Sequence, residues 1–249
     1  MAKFRKYPLL NFSRVVNEDE IERKFRLSSR VRTQLLKRST VERKRIEFTD
    51  KYFDTNSFSL TRKDCWLRRR DAIWELKSPN TNIDSANQAL VGIDYYRESR
   101  DWSTISAITQ MATGVNLKEP FPLDPNDAES WLQENGVFLF ANVKTSRERY
   151  QVKLSKGQQV RLDLDSVIFL STERDVELSR YDIGEIELID TGGNMSASEA
   201  IKEAFTELGI DSEPVRGKLL ELLFRHRPAH YEALRESGLL TAKLGKGNG

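Results

Sequence analysis

Glu20-Ile21-Glu22-Arg23-Lys24-Phe25 sets two carboxylates and an ammonium at alternate positions, with Ile21, Arg23 and Phe25 between them. On a β-strand, residues i, i+2 and i+4 share one face, so Glu20, Glu22 and Lys24 point the same way. Adjacent anions repel, and an ordinary solvated strand has little use for such a row. The row becomes favourable when a divalent cation lies between the carboxylates and the lysine holds an anion that the metal also holds. An exposed strand of mixed charge is the plain alternative for this stretch taken alone. The rest of the chain decides between the two.

The same pattern recurs downstream. Residues 65–71 place Trp66, Arg68 and Arg70 on one face and Leu67 and Arg69 on the other. Residues 73–78 set Glu75 and Lys77 opposite Trp74 and Leu76, and residues 95–99 bring Tyr96 and Glu98 together. Residues 160–166 turn Arg161, Asp163 and Asp165 one way and Val160, Leu162 and Leu164 the other. Residues 181–190 set Glu185 and Glu187 against Gly184, Ile186 and Leu188. Residues 41–54 read as a long strand in which Ile46, Phe48 and Lys51 alternate against Glu47, Thr49 and Tyr52, with a slip that marks a bulge. Residues 137–154 read as a bent strand or a strand pair carrying Lys144, Arg147 and Arg149.

Helices are expected at 28–38, 101–113, 126–135, 196–208, 216–225 and 228–236. Ser28 or Ser29 caps the first, and Gly209 ends the one at 196–208. A β-sandwich would bury the apolar strand faces between two sheets and leave the charged faces in water. That explains the alternation but not the content of the charged faces: Glu-x-Glu-x-Lys, Arg-x-Arg, Glu-x-Lys, Arg-x-Asp and Glu-x-Glu, each confined to one strand. A sheet closed into a barrel with a polar lumen, and with helices over its apolar outside, satisfies both faces. In that lumen Glu20, Glu22, Asp163, Glu185 and Glu187 converge, with Glu98 as a further candidate. They face Lys24, Arg68, Arg70, Lys77 and Arg147, with Arg161 beside them and Asp165 read as the partner of Arg161. Arginines grip phosphate oxygens with two donors and lysines add point charges. Carboxylate clusters hold Mg²⁺ or Mn²⁺. A lumen with both suits a linear polyphosphate.

Composition bounds the alternatives. The chain has 249 residues and a formal net charge of +2, so bulk electrostatics do not point to nucleic acid. Cys65 is the single cysteine, which excludes an intrachain disulfide and favours a reducing, cytoplasmic setting. No apolar run is long enough for a membrane helix. A monomer without nucleic-acid or membrane partners is expected. His226 and His230 stand at i and i+4, a metal-binding spacing on a continuous helix, but no third ligand accompanies them.

The charged segments, in this order, resemble the CYTH, or triphosphate tunnel metalloenzyme, superfamily. Residues 20–25 are similar to its Glu-x-Glu-x-Lys signature. Tyr52-Phe53-Asp54-Thr55, Trp66-Leu67-Arg68-Arg69-Arg70, Trp74-Glu75-Leu76-Lys77, Tyr96-Arg97-Glu98, residues 161–165, Gly184-Glu185-Ile186-Glu187 and Lys218-Leu219 follow it. Phe224-Arg225-His226-Arg227-Pro228 with His230-Tyr231 is similar to the family's C-terminal helical segment. Within the superfamily the resemblance is to thiamine triphosphatases, and it runs from about residue 20 to residue 231. It implies an α+β fold, mainly β: a closed eight-stranded antiparallel barrel with surrounding helices. It implies Mg²⁺-dependent hydrolysis, with Mn²⁺ as the alternative ion, of the terminal phosphate of thiamine triphosphate.

Carried residue by residue, the resemblance makes Glu20, Glu22, Asp163, Glu185 and Glu187 metal ligands. Lys24, Arg68, Arg70, Lys77, Arg147 and Lys218 become triphosphate contacts, with Arg149 competing for the place of Arg147. Tyr52 and Lys77 match a pair that assists the chemistry, and Trp66 matches an aromatic that lies against the thiamine end. The domain then spans 18–240, between a basic leader at 1–17, read as a solvated arm rather than a targeting segment, and a flexible tail at 241–249. The rivals are an inorganic triphosphatase of the same fold, a non-catalytic polyphosphate-binding module and an adenylate cyclase of the same superfamily. The five acids speak against the module, and no nucleotide-base pocket is legible for the cyclase.

Overall fold

The computed structural model describes residues 18–36, 42–80, 93–116, 125–190 and 196–244; the leader and the last part of the expected tail lie outside them. The strands are β1 (Glu18–Phe25), β2 (Glu42–Thr55), β3 (Trp66–Arg70), β4 (Ile73–Pro79), β5 (Ile93–Ser99), β6 (Val137–Lys153), β7 (Gln159–Leu170) and β8 (Glu177–Asp190). They close in the order β1-β5-β4-β3-β2-β6-β7-β8, with β8 pairing back on β1 and every pair antiparallel. This is the expected eight-stranded barrel. β6 is one strand of 17 residues rather than a pair. Closure leaves no edge strand to protect, and it gives each strand one face inside and one outside.

The helices are α1 (Ser29–Leu36), α2 (Trp102–Thr113), α3 (Pro125–Glu134), α4 (Ala197–Leu208), α5 (Lys218–His226), α6 (Pro228–Glu236) and α7 (Leu239–Leu244). Val31 and Leu35 of α1 and Ile201 and Phe205 of α4 pack with Phe25, Leu162, Leu164 and Ile186 from β1, β7 and β8. Ile105 of α2 and Ala128 and Leu132 of α3 pack with Phe53, Leu67, Trp74 and Leu76 from β2, β3 and β4. Each fully buried large side chain in these layers contributes about 1.5–3 kcal/mol. A third cluster joins Leu219, Leu223, Leu234 and Leu240 of α5 to α7 with Phe169 and Ile183, and also with Tyr52, Trp66 and Tyr96, which line the lumen. The C-terminal helices therefore cover one mouth of the barrel as well as its side.

Local chemistry sets these elements in place. Ser196 and Glu199 form a reciprocal capping box at the start of α4, and Gly209 ends that helix at φ 65°. Gly184 pairs with Phe25 across β8 and β1, and a Cβ at 184 would lie 2.2 Å from the Phe25 ring. Only glycine lets Phe25 lie flat under that strand. On β2, Ile46, Phe48, Asp50 and Tyr52 share a face, and the bulge against β6 falls between Tyr52 and Phe53. Lys51 is not part of that face; it turns outward to Glu129 at 3.6 Å. The alternation therefore holds longer than expected and slips later.

Two expectations at the C-terminus change. The domain does not stop at residue 240, because α7 runs to Leu244 and both Lys243 and Leu244 pack against the barrel mouth. His226 and His230 do not share a helix. Arg227, at φ −140° and ψ 59°, ends α5, and Pro228 begins α6. His226 Nε2 bonds Ser179 Oγ at 2.7 Å, and His230 Nε2 bonds Thr61 Oγ1 at 2.7 Å.

His230 is a lock rather than a ligand. Its ring stacks on Phe58 at 3.9 Å and meets Phe140 at 4.6 Å. Thr61 Oγ1 also donates to Asp54, which accepts from the backbone N–H groups of Thr55, Leu60 and Thr61. Burial, and then the charge of Arg227, lower the His230 pKa to about 4. The folded state thus prefers the neutral ring. The associated stability is present above the unfolded value near 6.5 and is lost as pH falls through about 4. We expect roughly 2–3 kcal/mol of acid-specific destabilisation from this residue between about pH 7.5 and about pH 4. Urea denaturation of wild type and His230→Gln at both pH values checks it. An equal fall in both proteins would assign the acid sensitivity elsewhere.

Candidate active site

Alternation brings the charged faces of all eight strands into one cavity of about 280 Å³. Glu20, Glu22 and Lys24 come from β1, Tyr52 from β2, and Trp66, Arg68 and Arg70 from β3. Lys77 comes from β4, Arg147 from β6, Asp163 from β7 and Glu185 and Glu187 from β8. Lys218, the first residue of α5, enters from the covered mouth. Every residue expected in the site lines this one cavity.

The acids occupy neighbouring positions on the β1-β8-β7 wall. Glu22 lies opposite Glu187, Lys24 opposite Glu185, and Glu185 in turn opposite Asp163. Each acid is held by a cation. Lys77 donates to Glu20 in a short contact and lies 3.9 Å from both Glu22 and Glu98. Lys24 donates to Glu22 at 2.9 Å and to Asp94 at 2.7 Å. Glu187 accepts from Arg161 in another short contact.

Arg147, on β6 beside that wall, is a hub for its acids. Its guanidinium spans Asp165 with two bonds of 2.7 and 2.6 Å, reaches Asp163 at 2.5 Å and Glu185 at 2.9 Å, and is 6% exposed. Arg149 also grips Asp163, at 2.8 and 2.9 Å, from a more exposed position. The two arginines thus lie two residues apart on one strand face and share Asp163. Asp165 does not balance Arg161, as expected from spacing; it serves Arg147 and lies 3.3 Å from Lys218. Antiparallel pairing explains the change, because Asp165 faces Arg147 across β6 and β7 while Arg161 faces Glu187 across β7 and β8.

Burial makes these charges interdependent. Burial alone would lower the Lys77 pKa, but Glu22 and Glu20 outweigh it and raise it. Lys24 is treated likewise by Asp94, Glu22 and Glu185. Burial would raise the Glu185 carboxyl, yet Lys218, Arg147 and Lys24 hold it well below the usual carboxylate range. In this arrangement Lys77 is an ammonium, a donor rather than a proton acceptor.

Several residues in or beside the cavity are absent from the expected set. Asp50 is fully buried and takes a two-pronged contact from Arg70 at 2.8 and 2.9 Å; Arg68 and Arg70 overcome its burial and lower its pKa to about 2. Phe48 places its ring among Arg70, Arg147 and Lys218, at 4.1, 5.2 and 5.3 Å. Asp94 lies two residues before Tyr96 on the lumen face of β5, and Lys243 reaches in from α7. Asp50 and Asp94 were within reach of the alternation rule. Lys243 carried no such signal.

The acids do not gather round a single point. Among the described residues, no three His, Cys, Asp or Glu side chains lie close enough together to hold one metal ion. The donor set nonetheless suits a hard divalent cation in its chemistry, carboxylate oxygens throughout. Its five carboxylates sit on three adjacent strands, and neither His nor Cys lines the cavity. The lysines and arginines that now hold those carboxylates stand between them.

The sequence profile of the CYTH domain matches residues 18–215. The thiamine-triphosphatases of Macaca fascicularis and Homo sapiens are each 29% identical to this chain over 225 residues, covering 87% of it and 89% of the relative. A solved structure of a Pyrococcus horikoshii protein is similar at a TM-score of 0.45 and 17% identity, covering 83% of this chain and 99% of that one. Among the described residues no helix is long and apolar enough to cross a membrane. On the match across its barrel, this chain belongs to the CYTH domain family.

Proposed function

We propose that the protein hydrolyses the terminal phosphate of thiamine triphosphate, giving thiamine diphosphate and phosphate, with Mg²⁺ or Mn²⁺ as its cofactor. The observation that carries this reading is one cavity lined by Lys24, Arg68, Arg70, Lys77, Arg147 and Lys218 together with Glu20, Glu22, Asp163, Glu185 and Glu187, each charge held by an opposite one beside it. The relatives named thiamine-triphosphatase support the choice of substrate.

A triphosphate entering this cavity exchanges partners rather than adding to them. Lys24, Lys77, Arg147 and Lys218 release carboxylates and take phosphate oxygens. Arg68 and Arg70, two residues apart on one face of β3, offer two planar forks to the same chain of phosphates. Glu20, Glu22, Asp163, Glu185 and Glu187, once released, are the oxygen donors that would hold the divalent cation. That cation would supply charge neutralisation on the phosphates and a water activated for attack. Tyr52, opposite Arg68 in register, stands beside the phosphate forks. Lys77, charged as it is held here, stabilises negative charge on the transferred phosphoryl group.

Trp66 is fixed at the covered mouth, where its indole N–H donates to Asp64 at 2.8 Å and to the Tyr96 hydroxyl at 3.2 Å. It lies two residues along β3 from Arg68, so the group that follows the phosphates in an organic triphosphate meets it. A cationic ring against an aromatic face gains about 0.5–2 kcal/mol, or roughly 2- to 30-fold. Phosphate release from thiamine triphosphate, inorganic triphosphate and ATP, measured side by side with Mg²⁺ and Mn²⁺, tests the reading. Thiamine triphosphate should have the highest kcat/KM. Trp66→Ala should lower that value by roughly 2- to 30-fold and leave inorganic triphosphate nearly unchanged. Equal losses on both substrates would reduce Trp66 to a packing role. A wild-type preference for inorganic triphosphate would replace thiamine triphosphate as the substrate.

A further inference from the structure

The covered mouth contains a cation site that the chain fills itself. The 3₁₀ turn Thr61–Lys63 ends on Asp64 in the left-handed conformation, φ 59°, which aspartate tolerates. That turn aims the Asp64 carboxylate at the Trp66 N–H and the Tyr96 hydroxyl, both at 2.8 Å. Asp94 stands beside it, two residues before Tyr96 on β5. Into this group α7 inserts Lys243. The ammonium donates to Asp94 at 2.8 Å and to the Tyr96 hydroxyl, lies 3.3 Å from Asp64, and sits 4.7 Å from the centre of the Tyr96 ring. Its side chain is 13% exposed.

Two carboxylates and an aromatic face round one ammonium are the elements that recognise an organic cation. The position is also tied to the phosphate cradle. Asp94 holds Lys243 with one oxygen and Lys24 with the other, at 2.8 and 2.7 Å. Tyr96 carries Lys243 at 4.7 Å and Lys77 at 5.7 Å from its ring centre. A cation in the place of the Lys243 ammonium is therefore the next group beyond a phosphate held by Lys24 and Lys77.

We propose that Lys243 is a specificity-determining residue: its ammonium occupies an organic-cation subsite made by Asp64, Asp94, Tyr96 and Trp66, and it competes with the cationic part of an organic triphosphate for that place. Inorganic triphosphate leaves α7 docked and gains Lys243 as a further positive charge. A triphosphate ester with a cationic ring must displace it. The inference rests on the triphosphatase reading for its substrates but not for its subsite, and the experiment separates the two.

Lys243→Met keeps the apolar stem that packs with α7 and removes the charge; Lys243→Ala removes both. Thiamine, which carries the cation and no phosphate, is titrated against wild type and both variants by calorimetry. Parallel assays give kcat/KM for thiamine triphosphate and inorganic triphosphate. Thiamine should bind roughly 5-fold tighter to Lys243→Met, and the ratio of kcat/KM for the ester over the inorganic substrate should rise by a similar factor. Adding Asp64→Asn to Lys243→Met should reverse the gain in thiamine binding. Thiamine binding that is unchanged or weaker in both lysine variants overturns the proposal. Tighter thiamine binding without phosphate release from any triphosphate would uphold the subsite and overturn the triphosphatase reading instead.

Discussion

Replacing Arg147 by methionine is expected to lower phosphate release by at least roughly 100-fold and stability by about 3–5 kcal/mol. The two losses have one cause. Arg147 satisfies Asp163, Asp165 and Glu185 at once, and Asp165 is fully buried. Methionine fills the space but leaves three carboxylates facing one another in the lumen, with Arg149, Arg161 and Lys218 as their nearest cations. Breaking a buried pair from one side costs far more than the pair contributes when whole, because the remaining charge is stranded. Arg149→Met removes one of two grips on Asp163 from a more exposed position, and it should cost under about 1 kcal/mol. The Arg147 defect also has a pH signature. Arg147 is among the charges that hold the Glu185 pKa down, so its contribution is present above the ordinary carboxylate pKa and is lost as pH falls. The stability gap between wild type and Arg147→Met should narrow from about pH 7.5 to about pH 3.5. Urea denaturation at both values checks this. A variant as stable as wild type at the higher pH would show that the carboxylate hub is not held together by Arg147.

The strand faces were legible in the sequence because one rule governs them: a barrel wall needs alternation, and a polar lumen puts the charges on a single phase of it. That rule placed Glu20, Arg68, Lys77, Asp163 and Glu187 in one cavity without knowledge of which strands are neighbours. Partner choice was less accessible. Spacing within one strand pairs Asp165 with Arg161, whereas the partner that fills its two oxygens comes from β6 through antiparallel register. Asp50 was lost to a bulge placed too early on β2, which put Tyr52 out of phase with Phe48. α7 was lost for a different reason. Six residues with a Thr and a Lys carry little intrinsic helix signal, and Leu240 and Leu244 gain their burial only from a surface that other elements build. The same holds for Lys243, whose role depends on Asp64, Asp94 and Tyr96 meeting at the mouth. The family resemblance names the lining residues in outline but does not reveal that their cations and acids neutralise one another, mostly between neighbouring strands.

Glu20→Gln and Glu187→Gln should separate activity from stability in the opposite way to Arg147. Both side chains are partly open to solvent, at 14% and 18%. Neither loss strands a charge. Without the Glu20 carboxylate, Lys77 still has Glu22 and Glu98 at 3.9 Å. Without that of Glu187, Arg161 still has Asp163 at 3.5 Å. Removing one of several adjacent anions also relieves repulsion on the β1-β8 wall, so apo stability should change by less than about 1 kcal/mol. Turnover should nevertheless fall by roughly 10- to 100-fold, because each substitution removes an oxygen donor from the set proposed to hold the divalent ion. Metal binding gives a readout that does not depend on catalysis. An ion that binds only the folded protein stabilises it by about 2.7 kcal/mol at 100 times its dissociation constant. Wild type should therefore melt at a higher temperature as Mg²⁺ is added, and each variant should need more Mg²⁺ for the same rise. A glutamine variant that keeps the wild-type Mg²⁺ response and wild-type turnover takes that residue out of the metal set. If wild type itself shows no Mg²⁺ response with or without inorganic triphosphate, the proposed cofactor is wrong, and the five carboxylates serve only to hold the lumen cations in place.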